Sequence, residues 1–378
     1  MERYTSRSRQ SDETAGFESG QYHKTAGFES GQYHKAAGPE TGQPEKLGKI
    51  RHTWAWVYGI LLTAYTAFTM LNVFVIPHDT VKMDQSAMAE VYRTDTADEV
   101  TSSGGNIAET ESVRGMISSE TGATEAVTEP TVTATENGYI YQDSTMTITL
   151  TERYVYSTMV YVADIQLSGI ATLRSGLAED SFGRNLTEKT SDIADRVGAI
   201  LAINGDFYGF RDTGYVIRNG ILYRDRKKSD DAEDLVIYED GSMQIIREGD
   251  VTAEELLANG ALQVYSFGPG LVEDGEITVD SSSEVSKSMS SNPRTAIGMI
   301  EPLHYVMVVS DGRTSESEGL SLLQLATIMQ DLGCEQAYNL DGGGSTTMYF
   351  NGQVINNPTT SGKKTKERSV SDIVYIGY

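Results

Sequence analysis

Cysteine is nearly missing: Cys334 is the only one in 378 residues. That excludes a disulfide framework within the chain and any zinc site built on several thiolates. Histidine is scarce where chemistry would need it. Four of the five (His23, His34, His52, His78) precede residue 79, and only His304 follows, inside the apolar run 304–310. A histidine-rich metal site is thereby excluded from the second half, a Ser-His-Asp triad is disfavoured, and His304 reads as a packed strand residue. Neither a GxSxG elbow nor a GxxxxGK[ST] loop occurs, so the usual serine-hydrolase and nucleotide-hydrolase signatures are missing. Basic residues are also few, 30 Lys+Arg against 54 Asp+Glu for a net charge of −24. A phosphate backbone needs a basic face, so no nucleic-acid partner is expected.

What is present divides the chain by composition. Residues 1–53 hold 8 basic and 7 acidic side chains, 54–76 hold none, 77–137 hold 3 and 12, and 138–378 hold 19 and 35. The charge-free segment 54–76 is long enough as a helix, about 34 Å, to cross a hydrocarbon core of about 30 Å. Trp54, Trp56 and Tyr58 stand at its start, where amphipathic rings favour the interface. Lys46, Lys49 and Arg51 precede it, and Asp79, Lys82 and Asp84 follow it. The positive-inside bias therefore predicts a single-pass protein with residues 1–53 in the cytoplasm and the rest outside. A cleaved signal peptide is the weaker reading, because the apolar stretch is long and lies far from the start.

The inner tail carries TAGFESGQYHK twice in succession, at 14–24 and 25–35, and a decayed third copy at 36–46. Two glycines per copy oppose a helix, and a disordered tail with 11-residue repeats is expected. Residues 77–137, rich in Thr, Ser, Glu and Ala, read as an extended acidic stalk. A thiol-poor outer domain on such a stalk suits a Gram-positive envelope.

From Gly138 onward the pattern becomes globular. Strands are expected over 155–166 and 199–203, hairpins over 214–223, 235–246 and 346–355, and apolar strands over 296–300 and 304–310. Helices are expected over 186–196, 253–258 and 320–332, the last with Leu322, Leu325, Met329 and Leu332 at helical spacing. The expected class is α+β, a mixed sheet with hairpins and packed helices in one outer domain, preceded by a single transmembrane helix.

With histidine and thiols gone, chemistry in this domain must use carboxylates, Arg, Asn and backbone amides. These gather where apolar strands run into loops: Asn204-Gly205-Asp206-Phe207, Asn292-Pro293-Arg294-Thr295, Ser310-Asp311-Gly312-Arg313, Asn339-Leu340-Asp341-Gly342-Gly343-Gly344-Ser345-Thr346 and Glu367-Arg368. Asn-Gly and Asp-Gly alone are turn dipeptides. Three consecutive glycines cost backbone entropy that a turn need not incur, and bare amides let an anion approach closely. Ser345 and Thr346 add hydroxyl donors.

In this order the motifs resemble those of the phosphodiester glycosidase family, over roughly residues 150–378. Bacterial members are often labelled exopolysaccharide biosynthesis proteins, and many relatives carry glycine at the position of Asp206. The resemblance implies hydrolysis of a sugar-1-phosphate diester at the anomeric carbon, in an envelope glycopolymer or exopolysaccharide. Asp341, Asp206 and Asp311 are then the candidate catalytic carboxylates, with Asn204 orienting. Arg294, Arg313, Asn339, Gly342, Gly343, Gly344, Ser345, Thr346 and Arg368 are the candidates for holding sugar and phosphate. Asp and Asn at loop edges could also hold Ca²⁺ or Mg²⁺, a requirement the sequence leaves open. Two other classes stay in play: a wall-glycan or phosphate-binding module without turnover, and a transferase or phosphodiesterase acting on the same linkage.

Overall fold

The computed structural model describes residues 53–74, 78–83, 129–283 and 291–378. The repeated tail and most of the expected stalk lie outside the described residues. Helix α1 (Thr53–Phe74) coincides with the charge-free segment, and its stretch Trp54–Asn72 is long and apolar enough to cross a membrane. Thr63, Thr66 and Thr69 each donate their hydroxyl to the carbonyl four residues earlier, at 2.8 Å. These three hydroxyls are thus satisfied by the helix's own backbone.

Strand β1 (His78–Lys82) follows. A meander comes next: β2 (Thr131–Thr135), β3 (Gly138–Gln142), β4 (Met146–Val155) and β5 (Thr158–Leu167). Then come β6 (Leu173–Leu177), β7 (Ser181–Arg184), α2 (Thr190–Val197) and β8 (Ala199–Asn204). Strands β9 (Val216–Arg218), β10 (Ile221–Arg224), β11 (Glu233–Tyr238) and β12 (Met243–Arg247) lead into α3 (Ala253–Ala258) and β13 (Ala261–Tyr265). After β14 (Gly270–Glu273) and β15 (Glu276–Ile277) come β16 (Arg294–Glu301), β17 (His304–Ser310), α4 (Leu322–Asp331) and β18 (Gln336–Asn339). The last strands are β19 (Met348–Phe350), β20 (Gln353–Val354) and β21 (Asp372–Gly377).

They form a nine-stranded sheet (β15-β14-β18-β16-β17-β5-β4-β3-β2), two five-stranded sheets (β20-β19-β8-β21-β6 and β10-β9-β13-β11-β12) and the pair β1-β7. Every strand pairing among the described residues is antiparallel, which corrects the expected mixed sheet. The strand–helix–strand unit β17–α4–β18 exists, and its two strands run parallel. They are not neighbours, because β16 pairs with both and lies between them.

The central strands are buried on both faces. One face of the large sheet meets α4, where Leu322, Leu325 and Met329 contact a cluster with Val160, Val306 and Val308. The other meets the β8-containing sheet, with Ile165, Ile297 and Val309 against Leu201, Ile203, Val374 and Ile376. Helix α2 closes the far side through Ile193 and Ala194 on Ala202 and Ile373. The order is helix, sheet, sheet, helix. Each fully buried Leu or Ile in these layers contributes about 1.5–3 kcal/mol.

Helix α4 begins with a reciprocal cap: Ser321 Oγ accepts from the Gln324 amide at 3.0 Å, and Gln324 Oε1 accepts from the Ser321 amide at 2.9 Å. The strand expected over 155–166 starts instead at Thr158. Tyr156 and Ser157, with φ of 51° and 54°, make the β4–β5 turn. Neither residue carries a turn signal, so sequence pattern runs straight through them. The expected stalk also holds more order than its composition suggests. β1 pairs with β7, β2 pairs with β3, and Met83 rests on the Leu177–Tyr208–Val216 cluster.

Candidate active site

Strands β8, β17 and β18 end, and β16 begins, at one edge of the two stacked sheets. Their pairing brings the loop motifs together: Arg294 is opposite Ser310, and Ala296 is opposite Asn339. Asn204, fully buried at the end of β8, ties the two sheets at this edge. Its Nδ2 donates to the Asp341 carbonyl at 2.6 Å, and its Oδ1 accepts from Thr295 Oγ1 at 2.9 Å and from the Thr347 amide at 3.2 Å. The Asp341 amide returns a bond to the Gly205 carbonyl at 3.2 Å.

The glycines following Asp341 are required by close approach. Gly343 has φ of 63°, and a Cβ there would lie 2.8 Å from Arg313 Nη2. A Cβ on Gly344 would lie 2.5 Å from Thr360 Oγ1. The loop is less open to an anion than three bare glycines suggest, since the Gly343 amide is bound to the Pro293 carbonyl at 2.8 Å and that of Ser345 to Gly342 at 3.3 Å.

Over this edge opens a cleft of about 450 Å³ lined by Arg211, Arg294, Arg313, Arg368, Asn292, Asn339, Asp341, Gly342 and Gly343, with Phe207, Phe267 and Leu322 among its apolar walls. The cleft wall therefore holds four guanidinium groups and one carboxylate. Asp341 Oδ2 accepts from Arg368 Nη2 at 2.9 Å, and Arg368 Nε donates to Ser345 Oγ at 2.8 Å. Burial raises the Asp341 carboxyl above its ordinary value, against the opposing pull of the Arg368 charge and Ser345. Arg313 donates Nε and Nη2 to Asn292 Oδ1 at 3.2 and 3.0 Å and Nη1 to the Thr360 carbonyl at 2.6 Å. Burial first, and then the neighbouring Arg368 charge, lower the Arg313 pKa. Two cations held close enough to repel favour an anion between them. Arg294, 5% exposed, donates Nε to the Leu320 carbonyl at 3.0 Å. Asn339 donates Nδ2 to the Gly268 carbonyl at 2.8 Å, while its Oδ1 accepts no bond among the described residues.

Of the residues expected from sequence, Arg294, Arg313, Asn339, Asp341, Gly342, Gly343 and Arg368 meet at the cleft. Asn204, Ser345 and Thr346 lie behind its wall as supports. Asp206 and Asp311 are not among the residues that line the cleft. Asp206 Oδ2 accepts from Arg218 Nη2 at 2.9 Å and from the Ser266 amide at 3.1 Å, and Oδ1 accepts from the Tyr208 amide at 2.8 Å. Arg218 is itself fully buried and also donates Nε to Asp372 at 2.8 Å. Asp311 is spent on Asn357, accepting from its amide at 2.8 Å and its Nδ2 at 2.9 Å. With those carboxylates occupied, no group of three His, Cys, Asp or Glu side chains placed to hold a metal occurs among the described residues.

Sequence pattern missed Arg211 and Phe267. The Arg211 guanidinium lies 5.6 Å from the Phe207 ring centroid and 5.1 Å from that of Phe267. Phe207 closes a recognised motif, but Phe267 follows β13 of a different sheet, in a Ser-Phe-Gly-Pro stretch that lies outside every motif.

Comparisons with known proteins cover the part of the chain that builds this cleft. Residues 197–377 match the phosphodiester glycosidase family. This part of the chain is similar to that family. The cleft residues Phe207, Arg211, Phe267, Arg294, Arg313, Asp341 and Arg368 all fall inside the phosphodiester glycosidase match. The chain is 31% identical over 203 residues to the SPbeta prophage-derived uncharacterized protein YomE of Bacillus subtilis (strain 168), covering 52% of this chain and 31% of that protein. It is 29% identical over 185 residues to the N-acetylglucosamine-1-phosphodiester alpha-N-acetylglucosaminidase of Mus musculus, covering 44% and 35%. The chain thus spans about a third of the length of these relatives. Among solved structures, the zebrafish N-acetylglucosamine-1-phosphodiester alpha-N-acetylglucosaminidase catalytic domain, auto-inhibited by its pro-peptide, superposes with a TM-score of 0.50 at 20% identity. That match covers 62% of this chain and 83% of the other, and shows a shared fold.

Proposed function

We propose that the phosphodiester glycosidase domain hydrolyses a sugar-1-phosphate diester at the anomeric carbon. One observation carries the reading: among the described residues, the cleft offers one carboxylate and four arginines. An ordinary glycosidase needs two carboxyl groups, because a neutral leaving oxygen must be protonated while the anomeric centre is attacked. A phosphate leaving group departs as an anion that arginines can stabilise, so the acid can be dispensed with. The residues present match that demand.

In this reading Phe207 and Phe267 wall the sugar subsite, and Asn339 Oδ1 accepts from a sugar hydroxyl. Arg368, Arg313 and Arg294 take the phosphate. The C1–O bond breaks with its electron pair passing to the phosphate, and Asp341 supplies the carboxylate at the oxocarbenium-like carbon. A water oxygen ends on C1, and its proton leaves through Asp341 to the phosphomonoester or solvent. Retained anomeric configuration assigns Asp341 as nucleophile, and inverted configuration assigns it as base. The domain acts outside the cytoplasm on an envelope glycopolymer or exopolysaccharide, held to the membrane by α1 with its N-terminal side inward. The apolar span and the Lys46, Lys49 and Arg51 flank support that placement.

The test is product analysis with full-length protein in detergent. Free reducing sugar and a phosphomonoester support the glycosidase, and Asp341→Asn abolishes both. Sugar-1-phosphate as product would mean P–O cleavage, and saturable glycan binding without turnover would mean a binding module.

A further inference from the structure

A second cleft, of about 610 Å³, adjoins the first and shares Arg368 with it. Its walls carry Lys189, Lys363, Lys364 and Lys366 besides Arg368, and a single acid, Glu367. That is five cations in a part of the chain, residues 138–378, that holds 19 basic against 35 acidic residues. The acid is already engaged: Glu367 accepts from the Ser191 amide at 3.1 Å and from Ser191 Oγ at 2.6 Å. Lys189 pairs with Asp192 at 3.3 Å, but none of Lys363, Lys364 and Lys366 carries an ion pair among the described residues.

The segment that presents these lysines is held in place. The Lys366 amide donates to the Pro358 carbonyl at 2.7 Å, and that of Gly362 to Thr359 Oγ1 at 2.9 Å. Val370 and Glu188 exchange backbone bonds of 2.8 and 3.0 Å. On the side facing the first cleft, the Thr360 carbonyl receives Arg313 Nη1. Unneutralised lysines on an anchored segment, continuous with a phosphate-holding wall, form a track leading away from the scissile bond.

We infer that this basic cleft binds further phosphate groups of the same substrate chain, so that the preferred substrate is a polyphosphodiester strand rather than a lone diester. The inference rests on the proposed glycosidase reading and adds the substrate class. A small diester fills the first cleft, where Arg294, Arg313 and Arg368 already meet its charge, and leaves the lysines without a role. A strand with phosphates at regular intervals continues past Arg368 and meets them in turn. The net negative charge of the protein repels such a strand at long range, but screening confines that repulsion to about 8–10 Å at moderate salt, and within that distance the lysines dominate.

The experiment compares full-length wild type in detergent with a Lys363→Gln, Lys364→Gln, Lys366→Gln triple variant. Two substrates share one cleavable sugar-1-phosphate: a methyl diester, and the same sugar linked to a poly(glycerol phosphate) oligomer of about six units. The expected result is a kcat/KM for the oligomer lower by about tenfold in the variant, with the methyl diester changed by less than about twofold. The wild-type preference for the oligomer also fades between about 0.05 and 0.3 M salt, and the variant shows no such dependence. Equal effects on both substrates, or no wild-type preference for the oligomer, overturn the inference. Calorimetric binding of uncleavable poly(glycerol phosphate) is read in parallel. If neither substrate turns over but the oligomer binds wild type about tenfold more tightly than the variant, the glycosidase reading fails while the polyanion track stands. If the lysines instead confer binding to phosphatidylglycerol vesicles without discrimination between the oligomer and the methyl diester, the cleft faces lipid and the inference falls.

Discussion

At the residue scale the site turns on Asp341 and its partner Arg368. Asp341→Asn keeps the shape and removes the charge, and the expected outcome is a loss of turnover of about 10²–10⁴-fold with an unchanged melting temperature. Burial raises the Asp341 carboxyl, and the Arg368 charge holds that rise in check. If the ionised carboxylate is the working form, activity is lost as pH falls through this raised pKa. Removing the Arg368 charge lets the pKa climb further, so the acid limb of the residual kcat–pH profile moves to higher pH in Arg368→Gln. A limb that stays in place or moves down contradicts the assignment. Asp206 belongs to a different class. Its carboxylate neutralises a guanidinium with no access to solvent, so Asp206→Ala leaves Arg218 buried and less well paired. A loss of about 3–5 kcal/mol in denaturant-measured stability is expected, with any remaining folded protein still active. That Asp341 lines the cleft was legible because the three glycines beside it mark a loop that must come close to something, whereas Arg368 was named as a candidate only through the family resemblance. Asp206 and Asp311 looked equivalent to Asp341 because sequence shows a carboxylate at a strand end but not the buried Arg218 or Asn357 that consumes it.

Elements with strong local signals were legible in the sequence. Helix α3 was expected over 253–258 and forms there, and the hairpins turned at Asn219-Gly220, Asp240-Gly241 and Asn351-Gly352 are all present. Each rests on a dipeptide suited to positive φ. The β4–β5 hairpin was hidden because Tyr156 and Ser157 occupy the left-handed region without being residues that favour it. The same fact yields a prediction. Tyr156→Asn with Ser157→Gly relieves that conformational cost and raises stability by about 1–2 kcal/mol, read as a higher denaturant midpoint at unchanged slope. An unchanged or lower midpoint would mean that contacts of Tyr156 or Ser157 outweigh the backbone term. The antiparallel nature of the large sheet was not legible either. A strand–helix–strand pattern fixes that β17 and β18 run the same way, but not that β16 is placed between them.

At the scale of the whole molecule, the net charge of −24 conceals a local reversal. The cleft wall holds four arginines and Asp341, and the adjoining lysines extend the positive ground beyond it. On the proposed reading, a substrate carrying phosphate is recognised at contact range, not recruited from a distance. This reversal could not be read from composition, because its members come from loops spread between Lys189 and Arg368 and meet only through the stacking of two sheets. The long apolar helix α1 was legible for the opposite reason: an uninterrupted apolar stretch announces itself without any tertiary information. The central claim concerns which bond breaks, and hydrolysis of a sugar-1-phosphodiester in ¹⁸O-water tests it most directly. The account predicts a released phosphomonoester free of ¹⁸O beside free sugar, whereas ¹⁸O in the phosphate with sugar-1-phosphate as product would contradict it.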